Sequence, residues 1–434
     1  MSNSIINKLL KLSIYDVNKI SKRISNLVIQ SPLEKNERLS KLYNANIFLK
    51  REDLQKTRSF KIRGSYNKIL NIYNNNLSKV FPEIICASAG NHAQGVALSC
   101  NHLNLPCTIF IPSKTPLQKI NRIKHFGNNQ CTIKLTNDGF NECLDEALLY
   151  SNNMNSVFVH PYNDYDVICG QSTIAYEIFD KIQPDIILSG IGGGGLISGI
   201  SLYKHEFCKV NNTKCKIIGI EPETCPSMKL SILNDNIIDC FVTDDFVDGA
   251  TVSKVGDITY SICKKHIDDI YTVNIGKICE TILDLYTEDG IISEPAGSLS
   301  ISALDMLNKN DIKGKNIVCI LSGGNNDISR YPEIRDRYLS YMGLKHYYLI
   351  QFAQKPGELK TFINDILGPN DDIVRFEYIK KTNIKYGNVL IGLELEKIEN
   401  NIIIEEKLQQ FGIQYLKLNE EHILYNYLNL NFLI

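Results

Sequence analysis

The sequence predicts an α/β protein with parallel sheets covered by helices on both faces, followed by a small α+β domain. Short apolar runs each precede a helical pattern: Glu83–Ala87 before His92–Cys100, Pro106–Ile111 before Leu117–Phe126, and Asp185–Ser189 before Leu196–Tyr203. Strands alternating with helices build parallel sheets, whose ligands sit at the carboxyl ends of the strands. After Gly343 the pattern changes. His346–Phe352 reads as a strand, Lys-Pro-Gly-Glu-Leu opens a helix, and Val374–Tyr378 and Val389–Leu395 read as strands. A helix at Ile404–Phe411 and a strand at Gln414–Leu418 complete a ferredoxin-like βαββαβ unit, with a linker expected at Ser340–Lys345.

At 434 residues the chain exceeds one ordinary domain and fits two or three. Its net charge of -1 argues against a nucleic-acid or anionic-membrane surface, which needs an excess of Lys and Arg, and favours a small-molecule partner. Met1–Ile20 mixes Asn, Lys and Asp among its apolar residues, so it lacks the core of a secretory signal, and no apolar run reaches spanning length. The 13 cysteines are scattered without a CxxC pair. They are read as reduced thiols in a cytoplasmic protein.

The chemistry is expected at four turns. In Ser59-Phe60-Lys61-Ile62-Arg63-Gly64 a lysine lies between an aromatic and an aliphatic residue. An amine in an apolar pocket loses its proton near neutral pH and can condense with an aldehyde; the alternative is a snorkelling surface lysine. Ile191-Gly192-Gly193-Gly194-Gly195-Leu196 follows one strand and opens a helix. Converging N–H groups and the helix N-terminus suit a phosphate; the alternative is a flexible turn. Ser88-Ala89-Gly90-Asn91 leaves another strand, with room for a carboxylate and an amide donor in Asn91, which is equally suited to cap the helix. His92 is read as a packing residue. Ser322-Gly323-Gly324-Asn325 ends a buried strand, where a hydroxyl beside glycines can meet a heteroaromatic nitrogen. Glu294, before Pro295, is given no role.

One cofactor carries an aldehyde, a phosphate, a phenolic oxygen and a ring nitrogen, namely pyridoxal 5'-phosphate. The motifs Ser-Phe-Lys-Ile-Arg-Gly, Ser-Ala-Gly-Asn-His-Ala-Gln-Gly, Gly-Gly-Gly-Gly-Leu and Ser-Gly-Gly-Asn, in this order, resemble threonine dehydratase (threonine ammonia-lyase), a member of the tryptophan synthase β-like, fold type II pyridoxal-phosphate enzymes. The resemblance implies a two-lobed catalytic domain over 1–340, its small lobe roughly 51–160 inserted in the large one, and an ACT-like regulatory domain over 345–434. The tail segment starting Leu367-Gly-Pro-Asn-Asp-Asp is similar to the single regulatory unit of the short biosynthetic form. Ser65 stands where the family usually has Ala.

Carried over by motif, the resemblance implies Lys61 as the Schiff-base lysine and Cα base, and Asn91 as partner of the phenolic oxygen. Gly192, Gly193, Gly194, Gly195 and Leu196 would hold the phosphate, Ser322 would face the ring nitrogen, and Ser88, Ala89, Gly90 and Asn91 would take the substrate carboxylate. It further implies deamination of L-threonine to 2-oxobutanoate and ammonia, the first step of isoleucine biosynthesis, with isoleucine as allosteric effector and a homotetrameric assembly. A catabolic serine/threonine dehydratase or a serine racemase shares the same lysine and glycine turn. A catalytically silent amino-acid sensor is the alternative of another class, against which the complete motif set speaks.

Overall fold

The computed structural model describes residues 11–76, 81–137, 139–153, 156–378 and 385–418. The chain divides into two compact units, Met1–Asp327 and Ile328–Ile434.

The first unit holds two sheets. In the six-stranded sheet the order is Leu33–Lys35, Asn46–Arg51, Asn316–Leu321, Ile186–Gly190, Lys216–Pro222, Asp269–Val273, parallel except for the antiparallel first strand. The four-stranded sheet, Cys131–Thr136, Cys107–Pro112, Ile84–Ala87, Val157–Phe158, is all parallel. Its strands fall between Arg51 and Ile186 in sequence, as an insertion in the larger sheet. Ile84–Ala87 is buried throughout, as expected of a strand covered on both faces. The helices Asn91–Leu103, Leu117–Gly127 and Gly195–Asn211 occupy the expected strand-to-helix positions.

Helix Tyr165–Phe179 is buried on nearly every side, because helices Lys61–Asn75 and Gly195–Asn211 both pack on it. Glycine makes the first of these contacts possible. A Cβ on Gly170 would stand 2.5 Å from the Arg63 carbonyl oxygen and 2.7 Å from the Gly64 Cα. The helix that begins with Lys61 is thereby held at backbone contact distance.

In the second unit, strands Lys345–Ala353, Asp372–Tyr378, Tyr386–Glu394 and Gln414–Leu418 form an antiparallel sheet of order second, third, first, fourth, the ferredoxin-like arrangement. The helical segment after the first strand is short: Glu358–Thr361 passes into a π-helical turn, Phe362–Ile366. Tyr348, Ile350, Phe352, Val389, Ile391 and Leu393 form its core with Phe362, Ile404 and Leu408.

The linker expected at Ser340–Lys345 is instead a tight turn inside this unit, between helix Tyr331–Tyr341 and strand Lys345–Ala353. The helix is tied to the sheet by the Lys345–Asp336 pair at 2.9 Å and by Arg335 with Glu394. The Leu344 N–H donates to Leu339 O at 2.8 Å. Composition alone hid this, since the helix presents only Ile334 and Leu339 as fully buried residues.

Candidate active site

The site is built where strand ends of the first unit converge. Strand Asn46–Arg51 runs through the short turn Glu52–Leu54, and Ser59 then bridges to Gly323. The Phe60 N–H donates to the Ser322 carbonyl at 3.1 Å, so the lysine turn is stitched directly to the serine turn. Lys61 is the first residue of its helix; its Nζ donates to the Pro161 carbonyl at 3.0 Å and lies 5.3 Å from the Phe60 ring centroid. Burial lowers the amine from 10.5 to about 8, against the opposing charge of Glu294. An amine so placed is part-neutral near pH 7 and can act as nucleophile or base. Ser65, where Ala was expected, is buried and donates to Lys61 O at 3.0 Å, which leaves the lysine turn intact.

Asn91 is not the helix cap. Gly90 occupies that position, and the Asn91 amide instead donates to Glu294 Oε1 at 2.7 Å while its oxygen accepts from Asn325 Nδ2 at 2.6 Å. Asn325 also donates to Thr57 O at 2.8 Å, so three turns share one amide network. These partners fix which end of the Asn91 amide is the donor. Glu294 thus gains a definite place: it is buried, and burial, reinforced by Asp248 and opposed by Asn91, raises its carboxyl to about 7. A Cβ built on Gly90 would meet nothing within 4 Å, so the Ser88–Asn91 turn borders open space. The Ser88 hydroxyl accepts the Gly90 N–H at 3.2 Å. His92 is a packing residue, buried with Nε2 2.8 Å from Val159 O and its basicity lowered to about 3 by burial.

The glycine turn opens helix Gly195–Asn211, whose cap, Gly194, has φ 88° and offers no side chain to the first-turn N–H groups. An anion can take that role. A Cβ on Gly193 would lie 2.3 Å from the Tyr162 ring, so only glycine fits beneath that ring. Thr259 Oγ1 donates to Gly193 O at 2.7 Å, turning the carbonyl to protein. The Leu196 side chain is in the core, leaving its backbone N–H as its contribution. Ser322 is buried and donates to Ala296 O at 3.2 Å, long for a hydroxyl donor. The donor set fits pyridoxal phosphate: a desolvated amine, a glycine cradle at a helix N-terminus and a neutral hydroxyl at a strand end. A surface cavity of about 770 Å³, lined by Asp185, Lys204, Lys216 and Lys315 among others, lies at the opposite strand ends and belongs to no part of this site.

Behind Lys61 lies a buried ionic quartet. Arg63 donates to both oxygens of Glu52, each at 2.8 Å, and to Glu177 at 2.6 and 2.9 Å, while Lys50 pairs with Glu177. Glu52 and Lys50 are 0% exposed, Arg63 and Glu177 at most 4% by side chain, so the two charges of each sign must balance within the protein. Sequence reasoning passed over this quartet, Glu294's partners, Asn325's role and the His160–Asn163 loop. Asn325 and Arg63 lay inside quoted motifs, but nothing local to either motif named their partners.

Residues 24–323 match the family model of pyridoxal-phosphate dependent enzymes, and residues 336–428 match the C-terminal regulatory domain of threonine dehydratase. The fold and site therefore define a pyridoxal-phosphate dependent enzyme with an appended regulatory unit. The biosynthetic L-threonine dehydratase IlvA of Halalkalibacterium halodurans is 46% identical over 420 residues, 96% of this chain and 99% of that protein. The protein of the same description from Staphylococcus epidermidis is 45% identical over 424 residues, 96% and 99% of the two chains. The chain belongs to the biosynthetic threonine dehydratase family. Among solved structures, the processed form of threonine deaminase isoform 2 from Solanum lycopersicum superposes with a TM-score of 0.68 at 34% identity, over 74% of this chain and 93% of that one. Maize serine racemase gives 0.67 at 25% identity, over 76% and 98%.

Proposed function

We propose that the protein deaminates L-threonine to 2-oxobutanoate and ammonia as the first step of isoleucine biosynthesis. What supports this reading is Lys61, its amine lowered to about 8 by burial, on a turn hydrogen-bonded to the Ser322 turn and joined through Pro161 and Tyr162 to the glycine turn. When bound, the cofactor supplies an aldehyde for the substrate amine and a ring that withdraws electrons from Cα. Lys61 would hold that aldehyde at rest and take the Cα proton at Nζ once displaced. Gly192, Gly193, Gly194, Gly195 and the Leu196 N–H would hold the phosphate, Asn91 the phenolic oxygen, and Ser88, Ala89, Gly90 and Asn91 the substrate carboxylate. A hydroxyl at Ser322 cannot stabilise a protonated ring nitrogen as a carboxylate can, which favours prompt loss of the β-hydroxyl over a long-lived carbanion.

Two comparisons support the threonine reading over serine racemization: the full-length match to biosynthetic threonine dehydratases and the match of residues 336–428 to the C-terminal regulatory domain of threonine dehydratase. The regulatory unit is a small-molecule sensor in our reading, with isoleucine, the pathway's end product, as effector. The protein is read as cytoplasmic, consistent with 13 cysteines that form no disulfide, and its assembly as a homotetramer. Keto-acid release from threonine and from serine, each with and without isoleucine, tests both readings. Preference for threonine and a rightward shift of its saturation curve by isoleucine are expected; serine preference or an unmoved curve would overturn the corresponding part. Light scattering of the purified protein checks the tetramer.

A further inference from the structure

The loop after strand Val157–Phe158 touches both Lys61 and the glycine turn yet belongs to none of the motifs. His160 Nδ1 accepts two backbone N–H groups, from Asn163 at 2.9 Å and from Tyr162 at 3.3 Å. This double acceptance closes the loop into a turn with Pro161 at its apex. From that apex the Pro161 carbonyl accepts the Lys61 amine at 3.0 Å. On the next residue, the Tyr162 ring lies against the glycine turn, where a Cβ on Gly193 or Gly195 would come within 2.3 and 2.9 Å of Tyr162 atoms. Its hydroxyl donates to Lys254 O at 3.3 Å. Asn163 then anchors the far end of the loop, donating to Asp257 at 2.7 Å and accepting the Ile258 N–H at 3.1 Å.

We propose that His160 is a positioning residue: its unprotonated Nδ1 sets the turn that aims the Pro161 carbonyl at Lys61 and lays Tyr162 across the phosphate cradle. The imidazole must stay neutral for this, because a protonated Nδ1 accepts nothing. The groups facing it agree with that. Burial, with Lys61, lowers its basicity to about 4, outweighing Asp164 and Asp257, and Phe158 and Tyr162 pack edge-on against the ring. Proline at the apex stiffens the turn by fixing its own φ, so the carbonyl direction is set by the two N–H bonds on His160. The consequence is local to the site: Lys61 and the phosphate cradle are aligned by one side chain that touches neither substrate nor cofactor.

The inference rests on Lys61 being the cofactor lysine, and the two can fail separately. His160→Leu keeps bulk but removes the acceptor; His160→Asn restores an oxygen near the Nδ1 position. With each purified full chain, three quantities are measured: the cofactor dissociation constant by titration of the apo-protein, the visible band of lysine-bound cofactor, and turnover at saturating threonine. His160→Leu should weaken cofactor binding about tenfold or more and reduce turnover by up to about 100-fold, as small misplacements of a reacting group do, while His160→Asn stays within a few-fold of the parent. Equal losses in both variants, or unchanged cofactor binding in His160→Leu, would overturn the positioning role while leaving Lys61 in place. Should His160→Leu fail to fold, Pro161→Gly, which loosens the apex and keeps every acceptor, must weaken the cofactor band in the same direction; an unchanged band would refute the proposal.

Discussion

Replacing Arg63 with Met probes how the scaffold holds the lysine turn. The side chain is 1% exposed and spans Glu52 and Glu177, with a further donation to Thr173 Oγ1 at 3.0 Å. In the native quartet Lys50 and Arg63 balance Glu52 and Glu177; without Arg63 one buried negative charge is left uncompensated. Burial is the largest single influence on Glu52 and opposes its ionisation, yet the charge and hydrogen bonds of Arg63, with Lys50 and Ser31, together hold its carboxyl below the ordinary value, so the loss of Arg63 removes the main opposition to burial. Breaking one side of a buried pair costs about 3–5 kcal/mol, a large fraction of a typical domain's stability. The double variant Arg63→Met with Glu52→Gln removes one charge of each sign and should lose less than Arg63→Met alone. Urea unfolding of the full chain at fixed cofactor concentration gives the numbers, followed by circular dichroism because the sequence has no tryptophan. With two compact units two transitions are possible, and the shift must fall on the one that also releases the cofactor band. A loss below about 1 kcal/mol, or a double variant worse than the single, would refute the charge-balance reasoning.

Gly170→Ala drives a Cβ to 2.5 Å from a backbone oxygen that cannot move aside, and should destabilise the first unit by about 1–3 kcal/mol or more in the same unfolding assay. Glu294→Gln tests the buried carboxyl by pH. Its folded value of about 7 lies above the ordinary 4.5, so the folded state binds its proton more tightly and native stability declines as pH rises from about 4.5 to 7. The variant lacks this decline, so its stability relative to the parent should rise across that window; a constant difference would refute a buried, protonatable Glu294.

The strand-to-helix turns were legible because each joins two local patterns, an apolar run and a helical period, around small residues. The regulatory unit was legible for the same reason, apart from helix Tyr331–Tyr341, whose few buried residues blur its allegiance. Asn91 shows where local reading stops: cap and ligand-donor roles look alike in sequence, and the cap role falls only because Gly90 takes that position while Glu294 and Asn325, over 200 residues away, hold the Asn91 amide. The quartet of Lys50, Glu52, Arg63 and Glu177 was invisible for a similar reason. Arg63 stands in the lysine motif, but its partners Glu52 and Glu177 lie 11 and 114 residues away, and burial exists only once the chain has folded. His160 had no motif to mark it, since its work is done through backbone N–H groups two and three residues on.

Reduction of the holoenzyme with borohydride, followed by peptide mass mapping, tests the central claim most directly, because it fixes the cofactor irreversibly to the amine that holds it. The site predicts a single phosphopyridoxyl label on the peptide containing Lys61, absent from Lys61→Ala together with threonine turnover. A label on any other lysine, or a Lys61→Ala protein that still releases 2-oxobutanoate at near-normal rate, would contradict it.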